Sequence, residues 1–194
     1  FTHSNKLGRA FMVGPFYRGI RACLIEIDIE VVNTIISSWK QKFHATDANS
    51  GRVFIIGNGG SCAIAEHIST DLNKRCKVKT HTLSNNSLAT CLANDYGYEN
   101  AFEQWLQINE INEFDYLVAI SSSGKSPNIL NAIQHALNSK TPVLAIFGMD
   151  GNVDDFDWED GDNSFIHINS HNYGVIELTT EIILHSMVEE LVLE

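Results

Sequence analysis

The chain has 194 residues, and its 13 Lys and Arg stand against 24 Asp and Glu, a formal charge of −11. That balance speaks against wholesale binding to nucleic-acid phosphate or anionic lipid, both of which need clustered cations. Apolar residues at 44% and charged residues at 19% exclude a largely disordered chain, and the length suits one domain with a sizeable core.

Taken in order, residues 1–16 carry no assigned role and are set apart as an N-terminal extension. From Tyr17 to Phe43 the apolar positions Ile20, Leu24, Ile27, Val31, Ile35 and Trp39 recur at steps of three and four, which predicts one long helix. Its single apolar stripe needs a partner: a helix, a sheet or a second subunit. After a polar loop, His44 to Gly51, the pattern becomes strands alternating with helices. Val53–Ile56 is a first strand, Cys62–Lys74 a helix and Val78–Leu83 a second strand. Helices follow at Ser87–Ala93 and Tyr98–Ile111, then a strand at Tyr116–Ile120 and a helix at Pro127–Asn138. Strands at Val143–Phe147 and Ser164–Ile168 flank an Asp- and Gly-rich loop, and Gly174–Glu194 closes the chain as a helix. Such alternation predicts βαβ units, a parallel sheet and helices on both faces.

Cys23, Cys62, Cys76 and Cys91 form no CxxC pair, so zinc-ribbon and thioredoxin readings fail and reduced buried thiols are expected. No run approaches the ~18 apolar residues of a membrane span, and no signal-peptide pattern opens the chain. A cytoplasmic location is therefore expected. The acidic loop before Asn163 lacks the residue order of an EF-hand and reads as solvated.

Two loops fall where ligands bind in open α/β sheets, beyond the carboxyl ends of strands. Gly57-Asn58-Gly59-Gly60-Ser61 lets backbone N–H groups approach a ligand at a helix start. Ser121, Ser122, Ser123 and Ser126 supply hydroxyls and backbone donors at a second one, beside Lys125. Unpaired amides and the helix dipole both favour an anion there. Neither a Walker A sequence nor GxGxxG occurs.

These two loops, with His67 and Asp71, Ala93 to Glu99, and Asn172 to Glu177 followed by His185, resemble the sugar isomerase (SIS) domain over residues 17–194. The pattern is most similar to that of phosphoheptose isomerases. The resemblance implies a flavodoxin-like three-layer sandwich with a five-stranded parallel sheet, a homotetramer with active sites between subunits, and isomerisation of sedoheptulose 7-phosphate to D-glycero-D-manno-heptose 7-phosphate. It also points to a metal set of His67, Asp71, Glu177 and His185. His67 and Asp71 are i and i+4 on one helix face, and Glu177 and His185 lie about 80° apart around another. Two imidazoles and two carboxylates suit zinc, one per subunit. The family carries Glu and Gln where this chain has Asp71 and Glu177. The shorter Asp71 reaches less far, and the extra charge of Glu177 should tighten a divalent cation.

Under that resemblance, Asn58, Gly59, Gly60, Ser61, Asn94, Asp95, the four serines and Glu177 contact the sugar phosphate. Asp71 and His185 are the candidates for proton transfer, and Asp95 and Ser61 meet sugar hydroxyls. The competing readings are a tetrameric SIS protein that binds a sugar phosphate or serves as an adaptor without catalysis, and an isomerase of a different sugar phosphate.

Overall fold

The structure, a computed structural model, describes residues 14–43, 51–151, 154, 156 and 163–192. Most of residues 1–16, the loop before Gly51 and most of the acidic loop lie outside them.

Five strands form one parallel sheet: β1 (Val53–Gly57), β2 (Thr80–His81), β3 (Tyr116–Ser121), β4 (Val143–Gly148) and β5 (Ser164–Ile168), in the order β2-β1-β3-β4-β5. Seven α-helices accompany them: α1 (Gly14–Glu26), α2 (Ile29–Lys42), α3 (Gly60–Asp71), α4 (Asn86–Tyr96), α5 (Ala101–Ile108), α6 (Pro127–Asn138) and α7 (Tyr173–Val192). The expected α/β architecture, a doubly wound sheet with its strand order reversing beside β1, is the one observed.

The three central strands, β1, β3 and β4, are buried on both faces, and their side chains sort by the two-residue period of the pleat. Val53, Ile55, Val118, Ile120, Leu144 and Ile146 face one core with α2, α3 and α7. Phe54, Ile56, Leu117, Ala119, Ala145 and Phe147 face the other, with α5 and α6. Where β1 and β3 begin, Asp115 (2% exposed) accepts hydrogen bonds from the Arg52 backbone N–H (2.8 Å), Arg52 Nε (3.0 Å) and Arg52 Nη2 (2.7 Å). That bidentate pair ties the two central strands together at the end remote from the ligand loops.

Two of the expected elements change most. The single helix Tyr17–Phe43 is two helices, because Asp28 adopts an extended backbone and its Oδ1 accepts from Glu30 N (2.9 Å) as an N-cap. The stripe is largely used within the chain: Ile35 and Trp39 are 1% exposed, and Ile20, Ile27 and Val31 pack against the same core as α7. It therefore does not by itself require a second subunit. The second strand shrinks to Thr80–His81, since only Val53 and Phe54 of β1 pair with it. The four cysteines are free, as expected, but only Cys23 is buried; Cys62 and Cys76 are half-buried and Cys91 is exposed.

Candidate active site

The sheet's reversal leaves a crevice between β1 and β3, whose following helices pass to opposite faces. The N-terminal ends of α3 and α6 both meet this crevice, and between them lies a cavity of about 310 Å³. It is lined by Asn58, Gly59, Gly60, Ser61, Ile120, Ser121, Ser122, Ser123, Ser126, Tyr173 and Glu177. Eight predicted ligand contacts and Glu177 thus surround one space. Asn94 and Asp95 do not: they sit exposed on α4, with Asn94 Nδ2 donating to Asp95 Oδ1 (2.8 Å), and belong to the wall of neither this cavity nor the one beside it.

Local chemistry shapes the loops. In the serine loop, Gly124 holds φ = +61°, a backbone that side chains rarely adopt, and a β-carbon there would overlap the Cα of Gly151. Its N–H donates to Ser121 Oγ (3.1 Å), and Lys125 N–H donates to Ser123 Oγ (3.2 Å). Ser126 is the N-cap residue of α6, with Pro127 behind it, yet its hydroxyl makes no capping bond. That hydroxyl faces the cavity uncommitted to the helix. In the glycine turn, Gly60 opens α3 directly beneath the carboxylate of Glu177, where a β-carbon would overlap Oε1. Asn58 is fixed by Asn128, whose Nδ2 donates to Asn58 Oδ1 (2.9 Å), and by Tyr98 Oη, which donates to the same oxygen (2.7 Å).

A second cavity of about 390 Å³ adjoins the first, lined by Gly60, Ala63, Ile64, His67, Gly174, Glu177, Leu178 and Glu181. Gly60 and Glu177 belong to both walls. At its outer end α3 and α7 bring His67, Asp71 and His185 together, with one donor atom of each within 4.8 Å of the others. Asp71 Oδ2 stands 3.9 Å from His67 Nε2 and 3.7 Å from His185 Nδ1. The two imidazoles meet edge to face at 4.9 Å. A zinc tetrahedron built on bonds of about 2.0–2.1 Å has edges of about 3.3–3.4 Å; the two Asp71 edges are within a few tenths of an ångström of that, and the two imidazoles close on a small divalent cation from within 4.8 Å.

Glu177 is outside that group; its carboxylate stays over Gly60. The carboxylate next to the histidines is instead Glu181, whose Oε1 lies 3.3 Å from His67 Nδ1 and 4.0 Å from His185 Nε2. Glu181 was missed, as were the cavity residue Tyr173 and the loop-fixing Tyr98. The 177, 181, 185 spacing on one helix was the available signal for Glu181.

These features define a doubly wound α/β protein with a cavity at its topological switch point, faced by two helix N-termini, and a candidate metal cluster beside it. Residues 16–148 match the SIS domain family, and the chain belongs to it. Among characterised relatives it is similar to phosphoheptose isomerase of Helicobacter pylori strain P12, 38% identical over 122 residues that cover 58% of this chain and 62% of that protein. Phosphoheptose isomerase of Bordetella avium is 33% identical over 67% of this chain and 68% of its own. The chain thus spans about three fifths of the length of the Helicobacter relative. The fold resembles that of phosphoheptose isomerase GmhA from Neisseria gonorrhoeae, with a TM-score of 0.82 at 23% identity over 94% of this chain and 97% of that one. Among the described residues no helix is long and apolar enough to cross a membrane.

Proposed function

We propose that the protein is a sedoheptulose 7-phosphate isomerase, forming D-glycero-D-manno-heptose 7-phosphate by aldose–ketose isomerisation. The observation that carries this reading is the convergence of His67, Asp71 and His185 next to a cavity walled by the serine loop and the glycine turn. A non-catalytic sugar-phosphate binder needs the second feature and has no use for the first.

The reaction moves hydrogen between two carbons. A base takes a proton from C1 of the ketose as the C2 carbonyl oxygen gains one, which gives the enediol; a proton then returns at C2 while the O1 hydroxyl gives up its own. The phosphate sits at the N-terminus of α6 among Ser121, Ser122, Ser123 and Ser126, where unpaired amides and hydroxyls favour a dianion. Anchoring that remote end orients the reacting carbons. The sugar hydroxyls pass Asn58, Ser61 and Glu177, the last on the wall common to both cavities. Asp71 and His185 hold and move the proton at C1 and C2 in alternation with metal binding, because one lone pair cannot hold zinc and a proton at once. A zinc ion, held by His67, Asp71 and His185, would supply a positive charge that polarises the substrate carbonyl. The reading carries with it one metal per chain, a homotetramer and a cytoplasmic location.

The test is conversion of sedoheptulose 7-phosphate to the aldose by purified protein, with and without added zinc, alongside a panel of other ketose phosphates. Conversion of the heptulose alone supports the assignment. Conversion of another ketose in preference would keep the chemistry and change the substrate, and no conversion of any after zinc addition would overturn the enzymatic reading.

A further inference from the structure

We infer that Glu181 is the positioning residue of the histidine–aspartate cluster: its carboxylate accepts the Nδ1–H of His67 and so turns the Nε2 lone pair of that ring toward Asp71. The inference deepens the reading of the cluster as a metal centre and rests on it for its purpose, though not for its geometry.

The two imidazoles lie between two carboxylates. On the inner side, Asp71 Oδ2 faces His67 Nε2 at 3.9 Å and His185 Nδ1 at 3.7 Å. On the outer side, Glu181 Oε1 faces the opposite nitrogens, His67 Nδ1 at 3.3 Å and His185 Nε2 at 4.0 Å. Only the His67–Glu181 contact is within hydrogen-bond reach. A neutral imidazole carries its one proton on one nitrogen, and a carboxylate can only accept. The proton of His67 therefore belongs on Nδ1, and Nε2 is left as the free donor pair on the Asp71 side. Metal-binding histidines are commonly oriented in this way, with the far nitrogen donating to a carboxylate.

The neighbouring carboxylates on α7 are occupied elsewhere. Glu177, one turn before, lies against Gly60, and Glu189, two turns beyond, is paired with Arg75 at 2.6 Å and 2.8 Å. The ion pairs among the described residues give Glu181 no Lys or Arg, only the two imidazoles.

The discriminating property is the tautomer of His67, because a neutral histidine without such a partner favours Nε2–H. It is read from two-bond 1H–15N spectra of the metal-free full chain labelled with 15N-histidine. The variant His67→Gln identifies the resonance. The expected result is Nδ1–H in the wild type, reverting to Nε2–H in Glu181→Leu and retained in Glu181→Gln, whose amide oxygen still accepts. Zinc affinity, measured by chelator competition, should fall about 10- to 100-fold in Glu181→Leu and less in Glu181→Gln. An Nε2–H proton on His67 in the wild type overturns the inference, a measurement that needs no variant to fold. So does an Nδ1–H tautomer or a zinc affinity that Glu181→Leu leaves unchanged. A tautomer that responds as expected in a protein that binds no zinc supports the positioning by Glu181 and removes the metal-centre reading alone.

Discussion

The carboxylate of Glu177 fills the space over the α-carbon of Gly60, so that a β-carbon at position 60 would overlap Oε1. These two residues are the shared wall of the cavity at the serine loop and the cavity lined by His67. The overlap is with the far end of a flexible side chain, so an alanine there displaces Glu177 while leaving the backbone of α3 intact.

Gly60→Ala should accordingly keep the fold, with a stability change within about 1 kcal/mol, since alanine also favours the helix it opens. Sugar-phosphate affinity should fall by about tenfold or more. Thermal melting and ligand titration measured together check this, and a large drop in melting temperature with unchanged affinity would contradict it.

The serine loop separates shaping from binding. Ser121 Oγ accepts from an amide of its own loop, whereas the Ser126 hydroxyl makes no capping bond. Ser126→Ala should weaken sugar-phosphate binding by about tenfold, corresponding to a hydrogen bond to a charged group, with little change in stability. Ser121→Ala should lower both. Isothermal titration with the phosphorylated and dephosphorylated sugar tests the assignment, because only the phosphorylated one should lose affinity in Ser126→Ala.

His185→Gln should abolish isomerisation and lower the metal content from about one divalent ion per chain, while the protein stays folded. Elemental analysis of the purified variant and the wild type makes the comparison. Equal metal content in both would remove His185 from the metal set.

Asp115→Ala should be the most destabilising of these changes. It strips three donors of Arg52 from a buried carboxylate, a loss on the order of 3 kcal/mol, or roughly 10 °C in melting temperature for a chain of this size. The pair lies at the opposite end of the strands from the ligand loops, so ligand affinity of the folded fraction should be unchanged.

His81 stacks on Phe54 at 5.4 Å, and its imidazole titrates below the usual 6.5, chiefly because burial penalises the cation and further because Arg52 is close. A histidine whose folded value is lowered binds its proton more readily when unfolded. Its contribution to stability is therefore full above about 6.5 and is lost as pH falls through the lower folded value. His81→Gln should show a smaller fall in melting temperature than wild type between about pH 7.5 and 5.5; an identical fall in both would exclude His81 as the source.

The sheet and the phosphate cavity were legible because each rests on local composition: β-branched runs for the strands, and Gly and Ser at their carboxyl ends. The break at Asp28 was hidden because the apolar spacing runs through it unaltered, and only the side-chain cap reveals two helices. Glu181 and Glu177 exchange surroundings relative to the expectation because spacing fixes a helix face but not the depth at which each side chain meets its neighbour. Asn94 and Asp95 came from a motif whose order along the chain does not state where α4 places it.

The converging N-termini of α3 and α6 give the crevice a local attraction for anions within a molecule whose formal charge is −11. An incoming dianion is thus repelled at long range and captured only at contact. Mobile ions shield the first effect over about 10 Å at 0.1 M, whereas the second acts at contact, well inside that distance. Association should therefore become faster as salt rises from low levels, the reverse of the behaviour of a protein that steers its ligand by surface charge. The acidic exterior costs encounter rate, and in exchange the crevice discriminates by fit among the anions that do arrive.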